Sequence, residues 1–141
     1  MGSCSDTQIP FREATGTDLN ITLMNTSKTI LIVDDDSNVH KVLSHLLKDY
    51  SLTIKNNVVE AVLYLEQHQV DIVLLDVMMP GMSGYDFIHI VRERQPSLPV
   101  YIVSEIEDQP IIENFFKLGI SGFYRKSRDL AKLKADIYAL S

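Results

Sequence analysis

Thr29-Ile30-Leu31-Ile32-Val33-Asp34-Asp35-Asp36 is the stretch whose reading decides the fold. Ile30 to Val33 offer no polar face to water, and most of them are β-branched. A strand of this kind is covered on both faces, as in a parallel sheet. The same pattern returns in Ile72-Val73-Leu74-Leu75, which ends at Asp76, and in Val100-Tyr101-Ile102-Val103, which ends at Ser104. Two shorter strands are expected at Leu52-Thr53-Ile54 and Gly122-Phe123-Tyr124-Arg125. Helical spacing fills the intervals. Ser37 is placed to cap a helix bearing Val39, Val42, Leu43, Leu46 and Leu47, and a second carries Val59, Val62, Leu63 and Leu65. Tyr85 to Gln95 is stopped before Pro96, Ile111 to Leu118 ends at Gly119, and Leu130, Leu133, Ile137 and Leu140 form a last stripe. Five strands alternating with five helices predict an α/β protein, with right-handed βαβ units and helices on both faces of a parallel sheet.

Composition narrows the function. The 141 residues suit one domain with a tail, and 45% apolar with 23% charged residues is ordinary for a folded soluble protein. A net charge of −6 argues against nucleic acid or an anionic membrane as the main partner. Apolar runs reach only four or five residues, too short for a membrane span. Cys4 is the single cysteine, which excludes a disulfide framework, and Met1 to Pro10 lacks the apolar core of a secretory signal. The expected location is cytoplasmic. Residues 1–27 show no sustained periodicity and read as an N-terminal tail or linker before a domain at 28–141. Within that tail Met1-Gly2-Ser3 looks like an expression scar. Leu19-Asn20-Ile21-Thr22-Leu23 alternates like a half-buried strand and is a candidate docked arm.

In open α/β sheets, sites form beyond the carboxyl ends of the strands. Here those ends carry Asp34-Asp35-Asp36 after strand one, Asp76 after three, Ser104 after four and Lys126 after five. If strands one and three are neighbours, about 4.8 Å apart, then Asp34, Asp35 and Asp76 share a pocket. Carboxylates at that range repel, and each raises its neighbours' pKa. A bound Mg²⁺ resolves the repulsion, because hard cations take carboxylate and carbonyl oxygens together with water and phosphate. An acid, a metal, a lysine and a hydroxyl are the parts that phosphoryl transfer requires.

Ile30 to Asp36, Asp71 to Gly84 (with Asp76-Val77-Met78-Met79-Pro80-Gly81-Met82-Ser83-Gly84), Pro99 to Ser104 and Gly119 to Lys126 together resemble the receiver domain of two-component response regulators of the chemotaxis-regulator type. The resemblance covers about residues 28–141. It implies a flavodoxin-like, doubly wound sheet of order 2-1-3-4-5 and a phosphorylation-controlled switch rather than a conventional enzyme. It further implies Asp76 as phosphoacceptor, Asp34 and Asp35 as the acidic pair that holds Mg²⁺, and the main-chain carbonyl of Met78 as a further ligand. Ser104 is then the switch hydroxyl, Lys126 the partner of the phosphoryl group and Phe123 the switch aromatic. The implied phosphodonor is a histidine kinase or phosphotransfer protein. The surface that changes is formed by the fourth helix, fifth strand and fifth helix.

Single residues also have plainer readings. Asp36 is read as a helix N-terminal acid, Ser104 as a possible helix cap, Phe123 equally as a packed aromatic and His45 as a surface or packing residue. Two positions depart from the family pattern: Glu105 stands where a small residue is usual, and Ser127 where a proline after a cis bond is usual. They keep open a pseudo-receiver used only as a binding surface. A haloacid-dehalogenase-type phosphatase with its nucleophile at Asp34 is the enzymatic alternative. Ile111, Ile112, Phe115 and Phe116 exceed what one buried helix face uses, which leaves Ile111 and Phe116 for a partner or a homodimer. The chain reads either as a single-domain regulator or as a receiver cut from something longer.

Overall fold

The computed structural model describes residues 28–79, 81 and 83–140. The proposed tail and its Leu19–Leu23 arm lie outside the described residues. The elements are β1 (Thr29–Val33), α1 (Ser37–Leu46), β2 (Ser51–Lys55), α2 (Val58–Gln67), β3 (Ile72–Leu75), α3 (Gly84–Arg94), β4 (Val100–Ser104), α4 (Gln109–Lys117), β5 (Gly122–Arg125) and α5 (Leu130–Ala139). All strands are parallel, in the order β2-β1-β3-β4-β5. The α/β, flavodoxin-like architecture expected from the sequence is therefore the one observed.

Alternation along the strands sends side chains to two cores. Leu31, Val33, Val73 and Leu75 pack with Ala61, Phe87, Ile88 and Phe115 on one face. Ile30, Ile32, Ile72 and Leu74 pack with Leu43, Leu47, Leu133 and Ile137 on the other. The central strands are thus apolar on both sides, as their continuous runs require.

Several local expectations are corrected. Asp36, not Ser37, caps α1; its carboxylate accepts from the Asn38 N–H at 2.9 Å and the Val39 N–H at 3.4 Å. On α2 the buried residues are Val58 and Ala61, while Val59 and Leu63 are 50% and 58% exposed. Val42 and Leu140 also face solvent rather than the core. Ser104 caps nothing: it is the last residue of β4, and Asp108 caps α4 through the Ile111 N–H at 3.1 Å. Of the methionines after Asp76, Met79 packs on the core and Met78 is exposed. The expected stop at Gly119 is met: it follows α4 with a positive φ of 91°, the left-handed residue that ends helices.

Candidate functional site

Register places the polar residues. Val33 stands opposite Leu75, and the Asp76 N–H donates to the Val33 carbonyl at 2.9 Å, so Asp34 and Asp76 leave neighbouring strands side by side. Ser104 stands opposite Arg125, and the Lys126 N–H donates to the Ser104 carbonyl at 3.1 Å. Four chain segments far apart in sequence thus deliver Asp34, Asp76, Ser104 and Lys126 to one end of the sheet.

Lys126 joins the acids. Its Nζ lies 2.8 Å from Asp76 Oδ2 and 3.0 Å from Asp34 Oδ2. The other oxygens are held by backbone: the Met78 N–H donates to Asp76 Oδ1 and the Asp36 N–H to Asp34 Oδ1, both at 2.9 Å. Asp34 and Asp76 are only 2% and 5% exposed. Burial pushes the Asp34 carboxyl above its ordinary pKa; the Asp36 N–H and Lys126 oppose this, and the Asp76 charge adds to it. Burial acts to lower the Lys126 ammonium, but its bonds to Asp76 and Asp34 outweigh that and raise it. The site is therefore a cluster of charge held together by one cation.

Asp35 is exposed and completes the acidic group. One carboxylate oxygen from each of Asp34, Asp35 and Asp76 lies within 4.8 Å of the others. An all-oxygen donor set with one solvent-facing member suits a hard divalent cation that keeps some of its water. These residues fit the divalent-metal chemistry expected from the sequence.

Ser104 is fully buried, and its Oγ has no hydrogen-bond partner among the described residues. Buried hydroxyls are nearly always paired, which sets this one apart. Phe123 is half-buried and lines a cavity of about 290 Å³ with Ile112, Phe116 and Arg125. Ile111 and Phe116 are exposed, as the surplus of apolar residues on that helix predicts.

Four contacts were not anticipated. His40 Nε2 donates to the main-chain carbonyl of Asp34 at 2.5 Å, because a carbonyl only accepts. Its position one turn into the helix after the acids was the available signal. Arg125 pairs with both Glu105 and Glu107. Ser127 Oγ donates to Glu105 Oε1 at 3.0 Å, so the two unusual residues touch each other. No peptide bond among the described residues is cis, so the one before Ser127 is trans. His45 is exposed.

The loop after Asp76 is held by a close approach. A Cβ on Gly84, at the start of α3, would lie 2.6 Å from Val77 Cγ1 and 2.9 Å from Val77 Cβ. Gly84→Ala is expected to lower stability by about 1–3 kcal/mol, the usual cost of overpacking, and to shift the amides of Asp76 and Val77. Denaturant unfolding measures the first, and a loss under about 0.5 kcal/mol would show that the loop has slack.

The family model of the response regulator receiver domain matches residues 30–138. A cyclic di-GMP phosphodiesterase of Thermotoga maritima is 32% identical over 111 residues, covering 77% of this chain and 30% of that protein. The probable transcriptional regulator ycf27 of Cyanidium caldarium is 30% identical over 113 residues, covering 79% of this chain and 45% of that protein. The chain thus spans less than half the length of these curated relatives. The Mn²⁺-bound form of response regulator Rcp1 shares the fold, with a TM-score of 0.69 at 21% identity over 80% of this chain and 91% of that one.

Proposed function

The chain belongs to the response regulator receiver domain family, and on that premise we propose that it is a signalling switch whose phosphoacceptor is Asp76. The observation that carries this reading is the Asp76 carboxylate itself. It is buried, held by the Met78 N–H and by Lys126, and grouped with Asp34 and Asp35. The phosphodonor is a phosphohistidine on a histidine kinase or phosphotransfer protein, the partners with which receiver domains interact. An Asp76 carboxylate oxygen attacks phosphorus in line. The P–O bond forms as the P–N bond breaks, and the imidazole leaves with the bonding electron pair.

Asp34, Asp35, Asp76 and the Met78 carbonyl would hold Mg²⁺, which neutralises charge on the phosphoryl oxygens when bound. Lys126 Nζ already stands at Asp76 Oδ2 and gives the second positive charge. Ser104 Oγ supplies a hydrogen bond to the new phosphoryl group, and its buried, unpaired state supports that role. Its movement shifts Phe123 and the α4–β5–α5 face, on which the exposed Ile111 and Phe116 offer a homodimer or partner contact. The setting that the reading requires is cytoplasmic; no helix among the described residues is long and apolar enough to cross a membrane.

The test needs no cognate kinase. Amide NMR is recorded with Mg²⁺ and then with beryllofluoride, a stable stand-in for the phosphoryl group, and mass is followed by light scattering. Mg²⁺ is expected to shift the amides of Asp34 to Asp36, and beryllofluoride those of Ser104, Phe123 and Lys126. Absence of both responses would overturn the switch reading. A mass that stays unchanged throughout would sink the homodimer.

A further inference from the structure

We infer that Arg125 and Ser127 are positioning residues that hold the Glu105 carboxylate away from the phosphoryl pocket, so that this clamp sets how tightly the site takes its anion. The inference rests on Asp76 being the phosphoacceptor.

Glu105 follows Ser104 directly, so its α-carbon is about 3.8 Å from that of the residue whose hydroxyl meets the anion. A carboxylate there, left to itself, repels a phosphoryl group. In this chain it is bonded by the residues on both flanks of Lys126. Arg125 Nε donates to Glu105 Oε1 at 3.3 Å, and Ser127 Oγ donates to the same oxygen at 3.0 Å. Arg125 also reaches forward along the β4–α4 loop, with Nη2 2.7 Å from Glu107 Oε2. The two residues on either side of the site lysine thus secure the residue beside the site hydroxyl.

Stability does not account for the arrangement. The side chains of Arg125, Glu105 and Glu107 are 32%, 44% and 67% exposed, and pairs this open to water add little to folding. What the contacts do fix is where the Glu105 charge sits. They also account for the two departures from the family pattern together, since the residue in place of proline supplies the hydroxyl that receives the residue in place of a small one.

The test is the Mg²⁺-dependent affinity for beryllofluoride, read by amide NMR at low and high salt. The double variant Arg125→Gln/Ser127→Ala frees the carboxylate, and its affinity is expected to fall about three- to tenfold, more steeply at low salt. Adding Glu105→Ala to that double variant is expected to restore wild-type affinity. Glu105→Ala alone binds at least as tightly as wild type. Ser127→Ala alone, at an exposed position, keeps the fold and shows a smaller fall. Two results overturn the clamp: wild-type affinity in the double variant, or a loss that Glu105→Ala fails to restore. A wild-type protein with no beryllofluoride response overturns the Asp76 reading and the clamp together, whereas a responsive wild type with unmoved variants overturns the clamp alone.

Discussion

Asp76→Asn is expected to lose aspartyl phosphate formation, with the rate of phosphoryl uptake from a phosphohistidine donor falling by at least about 10³-fold. The amide keeps the shape of the carboxylate and one oxygen for the Met78 N–H, but it offers no anionic oxygen to attack phosphorus. It also removes one of the acids crowded within 4.8 Å, relieving repulsion on Asp34 while leaving Lys126 its 3.0 Å contact there. Folding should therefore survive, and a lost reaction would be a loss of chemistry. Asp34→Asn is the matched control. It retains the nucleophile and removes a metal ligand, so it should slow uptake and weaken Mg²⁺ dependence without moving the site of phosphorylation. Intact mass and peptide mapping after exposure to donor read both variants. Phosphate that remains on Asp76→Asn but vanishes from Asp34→Asn would move the nucleophile to β1, as a haloacid-dehalogenase-type phosphatase requires.

The strands were readable because their signal is redundant. Ile30 to Val33 and Ile72 to Leu75 are apolar at every position, and no helical or half-exposed reading suits them. Helix phase was harder where apolar residues outnumber the buried ones. On α2, Val58, Val59, Ala61, Val62, Leu63 and Leu65 support two stripes. The sheet selects the one with Val58 and the small Ala61, leaving the larger Leu63 outside. Val62 and Leu65 pack against that same core, so the phase of the helix against the sheet decides this, and periodicity alone does not carry it. The N-cap of α1 was missed for a related reason: Asp36 and Ser37 are both good N-caps, and only the path of the chain leaving β1 chooses between them.

Asp34, Asp76, Ser104 and Lys126 lie at strand ends, which the alternation of elements already implied, whereas Phe123 lies within β5. Pairwise contacts were not legible. That Arg125 faces the residue before Glu105 follows from the β4–β5 register, and register depends on packing throughout the sheet. The sequence could mark Glu105 and Ser127 as unusual. It could not show them bonded to each other.

Lys126→Met is expected to move two properties of the site in opposite directions. Phosphoryl uptake should fall about 10²- to 10³-fold, the effect of removing one positioned charge from the transition state. Affinity for Mg²⁺ should rise, by about tenfold, because the ammonium and the metal serve the same carboxylates. Nζ lies 2.8 Å from Asp76 and 3.0 Å from Asp34, where it offsets charge that a divalent ion would otherwise neutralise. Methionine preserves much of the length and none of the charge. In the metal-free variant, the buried Asp34 and Asp76 lose their common cation, which should cost about 3–5 kcal/mol of stability if both stay ionised and less if one takes up a proton. Saturating Mg²⁺ should then restore stability to Lys126→Met by more than it adds to wild type, through its tighter binding to the folded state. Unfolding with and without Mg²⁺, beside an uptake assay, measures the three effects on one pair of proteins. Mg²⁺ affinity that falls along with the rate would mean that Lys126 organises the carboxylates for the metal instead of competing with it, and the division of labour assigned here between lysine and metal would be wrong.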